Sequence, residues 1–309
     1  MPRHEPADHL AWRTVEVGGR RVNYGVAGKG LPVLFVHGWA LGSHAYKRAL
    51  KRLVRLGCRV YAPALPGFGG TEGLPGRACD LTAYAAWTES FLDAVDETEP
   101  VLAVGHSFGG AVAAKLAHDF PERVGSLVLI NAVGGGVWSR AGGEVRSIDE
   151  RPLWDWAVHF PIDVFSARGI RPVLSAILPE ALPNIVHNPL GMWKAAELAR
   201  RADVTSDLLE VRGTGIPILV LWGQGDTIIP RANFDALCAA AGSSGELVPG
   251  KHSWLIADPD AFAEVMTGSV IDASAARTAG PSPAQRWSVP AASAGVGSRH
   301  PTFGRAATG

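Results

Sequence analysis

Apolar positions divide the chain into short elements of two kinds. WRTVEV and RRVNYGV alternate in character around Gly18-Gly19, a pair that tolerates positive φ, and so predict a β-hairpin with one face open to water. PVLFVHG is instead a continuous apolar run from Val33 to Val36 ending in His37-Gly38, the pattern of a strand covered on both faces. Between about 44 and 56, Leu50, Leu53 and Val54 lie to one side and Lys47, Arg48, Lys51 and Arg52 to the other, which predicts a helix. CRVYAPAL is a second buried strand, Pro66 to Gly70 is loop chemistry, and Leu81 to Val95 carries helical periodicity. VLAVGHS, FGGAVAAKLAHDF and GSLVLINA repeat strand, helix and strand. This alternation predicts an α/β fold, a mostly parallel sheet with helices on both faces.

The rhythm breaks after Ala132. Residues 133–212 hold no buried-strand run, but they hold several tryptophans, prolines and amphipathic stretches such as MWKAAELARRA, and are expected to form an inserted helical cap. PILVLWG resumes the sheet, followed by a helix near 232–241, a short strand ELVPG and a final helix near 259–267. Residues 1–132 and 213–271 are therefore expected to make the α/β core. Residues 272–309, rich in Ala, Ser, Gly, Pro and Arg, are expected to be a disordered tail, because they hold too little apolar area to offset the entropy of ordering.

Composition narrows the functional classes. In 309 residues Lys+Arg and Asp+Glu both total 29, so the formal charge is zero. That balance argues against a nucleic-acid partner, which needs a basic face, and against a polybasic membrane binder. No apolar run reaches the roughly 20 residues of a spanning helix, and the N-terminal MPRHEPADHLAWR has no apolar core of a secretory signal. Cys58, Cys79 and Cys238 are odd in number, far apart and without a C-x-x-C pair, so a reducing, cytoplasmic setting without disulfides or zinc is expected. Nothing in the sequence indicates an oligomeric state.

Chemistry concentrates at Gly105-His106-Ser107-Phe108-Gly109. A bare G-x-S-x-G is a weak signal, but here it follows a buried strand and opens an Ala-rich helix, the setting of a nucleophile elbow. A serine needs a base oriented by a carboxylate. Asp226 ends the strand PILVLWGQGD and His252 follows the next strand, so a parallel sheet brings both to the rim that carries Ser107. Asn131, after GSLVLI, cannot supply a competing carboxylate. The backbone N–H groups of Phe108 and of Trp39, beside Gly38, are the candidate oxyanion donors.

With HGW at 37–39, PGFGGTEG at 66–73, GHSFGG at 105–110, WGQGD at 222–226 and GKHSW at 250–254, the chain resembles a capped α/β-hydrolase over about residues 12–270. The group includes esterases, lactonases, cofactor-free haloperoxidases, dehalogenases and epoxide hydrolases. The resemblance implies an α/β-hydrolase fold with Ser107 as nucleophile, Asp226 as orienting acid, His252 as base and a cap over the pocket. Ala64 and Leu65 stand where relatives usually carry an Asp before the P-G-x-G loop, and a serine at the elbow speaks against dehalogenases and epoxide hydrolases, which use Asp there.

Other signals yield to plainer readings. Gly245 to Lys251 matches G-x-x-x-x-G-K but continues with His252 instead of Ser or Thr, so a nucleotide site is rejected. His37 and His106 read as packing or hydrogen-bonding histidines, and no spacing points to a metal. Trp39, Phe108, Trp138, Trp154 and Trp193 are the candidate substrate contacts, although an aromatic residue of the inserted region is more often part of its own core. The expectation is a cofactor-free serine hydrolase of an ester, thioester or lactone of a small apolar carboxylic acid. The alternatives are a carbon–carbon bond hydrolase or cofactor-free perhydrolase on the same scaffold, or a small-ligand receptor that keeps only the pocket.

Overall fold

The computed structural model describes residues 9–74, 79–139, 143–151 and 170–279. β1 (Ala11–Val17) and β2 (Arg20–Ala27) form the expected antiparallel hairpin, turning at Gly18 and Gly19 with φ of 56° and 75°. β3 (Leu31–Val36) is buried along its whole length. A 3-10 turn at Ser43–Tyr46 leads into α1 (Lys47–Arg55), which buries Ala49, Leu50, Leu53 and Val54 and leaves its basic residues outside. β4 (Cys58–Pro63), α2 (Leu81–Ala94), β5 (Val101–His106), α3 (Phe108–Asp119) and β6 (Val124–Ile130) follow. The α2 start is set by Asp80, whose carboxylate accepts from Ala83 N–H at 2.8 Å.

Next come two short strands, β7 (Val137–Trp138) and β8 (Arg146–Ser147), paired antiparallel outside the main sheet. A wholly helical reading of 133–212 missed this pair, because two residues per strand are too few to show a period. α4 (Ile170–His187), α5 (Pro189–Arg201) and α6 (Thr205–Thr214) complete the insertion. α6 packs against α3 and the later α7, so it joins the layer over the sheet. β9 (Ile218–Gly223), α7 (Arg231–Ala241), β10 (Glu246–Val248), α8 (Trp254–Ala257) and α9 (Pro259–Ala279) close the chain. β10 lies inside the rejected Gly245–Lys251 motif, where a phosphate site would need a loop.

The main sheet runs β1-β2-β4-β3-β5-β6-β9-β10, parallel from β4 to β10, with β1 and β2 antiparallel at one edge. α1 and α9 pack together on one face, and α2, α3, α6 and α7 form a row on the other. Val33, Leu34, Phe35 and Val36 are completely buried between these layers, and each such side chain contributes about 1.5–3 kcal/mol. Because β3, β5, β6, β9 and β10 are parallel, the residues that follow them emerge on one rim.

The end of α9 corrects the expected tail. Residues 272–279 continue the helix instead of being disordered. Its stem is anchored by buried Phe262, Met266 and Val270, and an Ala- and Arg-containing extension of an existing helix adds residues without a new nucleus. The remainder of that expectation, 280–309, lies outside the described residues.

Candidate active site

The elbow is built by close approach. Ser107 sits between β5 and α3 with φ of 54° and ψ of −120°, a conformation side-chain-bearing residues rarely adopt. A Cβ on Gly105 would lie 2.4 Å from the Gly109 carbonyl oxygen, one on Gly109 would lie 2.2 Å from that of Val36, and one on Gly110 would lie 2.3 Å from Ala132 Cβ. Glycine at these positions is therefore steric necessity. The backbone is held by Ser107 N–H on the Ile130 carbonyl (2.9 Å), and by Gly110 N–H (3.0 Å) and Val133 N–H (3.2 Å) on the Ser107 carbonyl. Phe108 is the first residue of α3, so its N–H has no acceptor within the helix.

Asp226 and His252 meet as their places after β9 and β10 predict. His252 Nδ1–H donates to Asp226 Oδ2 at 2.8 Å, which leaves Nε2 as the basic nitrogen of the ring. Asp226 is buried and receives three more hydrogen bonds, from Ile228 N–H (2.7 Å) and Ile229 N–H (2.9 Å) on Oδ1 and from Asn131 Nδ2 (2.5 Å) on Oδ2. Asn131 in turn accepts from Trp254 Nε1–H at 2.9 Å. Asn131, passed over because it cannot be the acid, is thus the residue that clamps it. No local sequence signal marks this role, since the carboxylate it holds lies 95 positions away.

The loop after β3 is held by a buried, neutral histidine. His37 Nε2 accepts from Leu65 N–H and Nδ1–H donates to the Gly38 carbonyl, both at 2.8 Å. Burial lowers its pKa from 6.5 to about 4. Trp39 N–H belongs to the peptide whose carbonyl His37 holds, and points the opposite way across its trans plane. His106, beside the serine, is also kept neutral by burial, with its pKa well below the usual value.

Ser107, His252, Trp39 and Trp193 line one cavity of about 450 Å3, with Leu41, Val133, Ile177, Met192 and Ile228 making much of the remaining wall. That volume falls within the roughly 300–1,000 Å3 usual for small-molecule sites. The other candidate contacts are placed differently. Trp138 is buried in β7 and does not line the cavity, and the Phe108 ring packs edge-on against Tyr84 in the core with only its backbone at the elbow. Trp154 lies outside the described residues. Among the described residues, no group of three or more His, Cys, Asp or Glu side chains could hold a metal ion, and no helix is long and apolar enough to cross a membrane.

Comparison with known proteins agrees with this architecture. The model of the alpha/beta hydrolase family matches residues 33–265. The chain belongs to the alpha/beta hydrolase family. A protein of Mycobacterium phage D29 named as a non-heme haloperoxidase is 28% identical over 263 residues, spanning 82% of this chain and 92% of its own. The pimeloyl acyl-carrier protein methyl ester esterase of Aromatoleum aromaticum is 31% identical over 215 residues, 65% of this chain and 81% of that one. Among solved structures, the bromoperoxidase from Bacillus anthracis shares the fold with a TM-score of 0.69 at 19% identity, covering 85% of this chain and 100% of that one.

Two outcomes follow for this hydrolase. Gly109→Ala is expected to destabilise it by about 3 kcal/mol or more, since backbone atoms must move to admit the methyl group; a urea midpoint matching the wild type would contradict the close approach. Stability is also expected to fall with acidity. Between pH 6.5 and about 4 the unfolded chain protonates His37 and the folded chain does not, which costs about 1.4 kcal/mol per pH unit, and His106 adds in the same direction. His37→Gln should flatten the pH dependence of the urea midpoint in that window, and an unchanged slope would refute the assignment.

Proposed function

We propose that this enzyme is a serine hydrolase of esters, thioesters or lactones of small apolar carboxylic acids. Ser107 Oγ attacks the carbonyl carbon while His252 Nε2 takes its proton, and Asp226 stabilises the imidazolium. The new Oγ–C bond forms as the carbonyl electron pair moves onto oxygen, where Phe108 and Trp39 N–H groups act as donors. His252 returns the proton to the departing alkoxide or thiolate as its bond to carbon breaks. Water then repeats the attack on the acyl-enzyme, with the same histidine as base, and the acid leaves with Ser107 restored.

One observation carries the reading. A serine forced to φ 54° shares a cavity with a histidine whose Nδ1–H is bound to a fully hydrogen-bonded carboxylate. The apolar wall favours uncharged acyl and alcohol groups, which gain affinity by leaving water. In the same reading, 1–132 and 213–271 form the catalytic core and 133–212 a cap roofing the cavity, with α6 closest to the core. The protein works in the cytoplasm without a cofactor.

Ser107→Ala should lower turnover of p-nitrophenyl acyl esters by about 10³-fold or more, and a fluorophosphonate should label the wild type once, at Ser107. Equal turnover by wild type and variant, with no adduct, would favour a ligand receptor. Labelling without ester turnover, joined to cleavage of vinylogous diketones, would move the assignment to carbon–carbon bond hydrolysis.

A further inference from the structure

Tyr46 and His106 have no place in the proton path from Ser107 to Asp226, yet both are buried beside it and reach the cavity wall. They are joined head to tail. Gly38 N–H donates to Tyr46 Oη at 3.2 Å, the Tyr46 hydroxyl donates to His106 Nδ1 at 2.8 Å, and His106 Nε2–H donates to the His252 carbonyl at 3.0 Å. The direction is set by the ends, since an amide N–H only donates and a carbonyl only accepts. A Cβ on Gly38 would stand 3.2 Å from each of His106 Nδ1, Ser107 Cβ and Tyr46 Oη, so the oxyanion loop, the elbow and this chain of bonds converge at one point.

We propose that Tyr46 and His106 are positioning residues of the Ser107 site, a neutral hydrogen-bond chain that sets the Gly38 loop and the His252 loop relative to the serine between them. The inference rests on the serine-hydrolase reading. The chain of bonds links the loops leaving β3, β5 and β10 to one another across the rim. A neutral imidazole suits the centre because it offers one acceptor and one donor on a rigid ring. Displacements of about 1 Å in such a site can cost on the order of 10²-fold in rate.

The test compares full-length wild type, Tyr46→Phe, His106→Gln, His106→Asn and the Tyr46→Phe/His106→Gln double variant. Fluorophosphonate labelling of Ser107 and hydrolysis of p-nitrophenyl butyrate are read on each, with melting temperature measured in parallel. The single variants should lose roughly 10- to 100-fold in kcat and in the labelling rate constant, with KM within about threefold of wild type. Final labelling should still reach one per chain. The double variant should be no slower than its slower parent, because both substitutions break the same chain of bonds. Lower melting temperature and incomplete labelling, with an unchanged rate constant for the molecules that do react, would show a merely structural role and overturn the proposal, as would additive losses in the double variant. A wild type that takes no label at Ser107 overturns the serine reading and this proposal together. A labelled wild type whose variants react at its own rate overturns this proposal alone.

Discussion

The close approach of α3 to the ends of β3 and β5 is the constraint on which the site depends. Gly109 lies where a methyl group would strike the Val36 carbonyl, and Gly105 faces Gly109 and Gly110 at a similar distance. With helix and strands so near, the residue between them has no room for an ordinary turn, and Ser107 takes up a positive φ. Such a conformation costs about 1–3 kcal/mol and persists only where its surroundings enforce it. Here three backbone hydrogen bonds hold the Ser107 peptide groups, two of them from segments after β6 and within α3. The packing that defines the sheet's C-terminal rim thus also fixes where the serine stands.

Three histidines meet at this rim, and their partners decide what each can do. His37 binds a backbone donor and a backbone acceptor, and His106 binds a hydroxyl and a carbonyl. Both rings have a partner at each nitrogen and are kept neutral by burial. His252 instead places Nδ1–H on a carboxylate, the one arrangement of the three in which a positive charge on the ring is directly compensated. The same side chain therefore serves as a brace in two positions and is suited to act as a base in the third. The atom bonded to each ring nitrogen is what separates these roles in the structure.

This explains what could be read from the sequence. The strands, the hairpin and the order of Ser107, Asp226 and His252 were legible because each depends on neighbours in the chain: a buried run, a glycine pair, a loop after a strand. Asn131 was not, since its task is to donate to a carboxylate 95 positions away. Tyr46 was hidden for the same reason, since its hydroxyl faces His106, 60 positions away. Trp138 shows the converse error. Its place in an aromatic-rich insertion made it a candidate contact, but its backbone pairs with Arg146 and its ring is buried away from the cavity wall. Residues 272–279 lack an apolar period, yet the helix they extend is anchored upstream.

The inserted helices are joined to the rim of the sheet that carries Ser107 by more than apolar contact. Asn184 on α4 donates to the Ala40 carbonyl and accepts from Gly69 N–H, both at 2.9 Å. Trp39 Nε1–H donates to the Met192 carbonyl of α5 at 2.9 Å, and Asn188 Nδ2 reaches the Gly67 carbonyl at 3.3 Å. The loop that carries the Trp39 N–H is therefore held from below by His37 and Tyr46 and from above by α4 and α5. A shift of these helices cannot widen the cavity without pulling on the same loop. Under the proposed serine-hydrolase function, substrate size and the alignment of the Trp39 N–H are coupled through the Met192 carbonyl, so an acyl group that displaces α5 also displaces the backbone beside the serine.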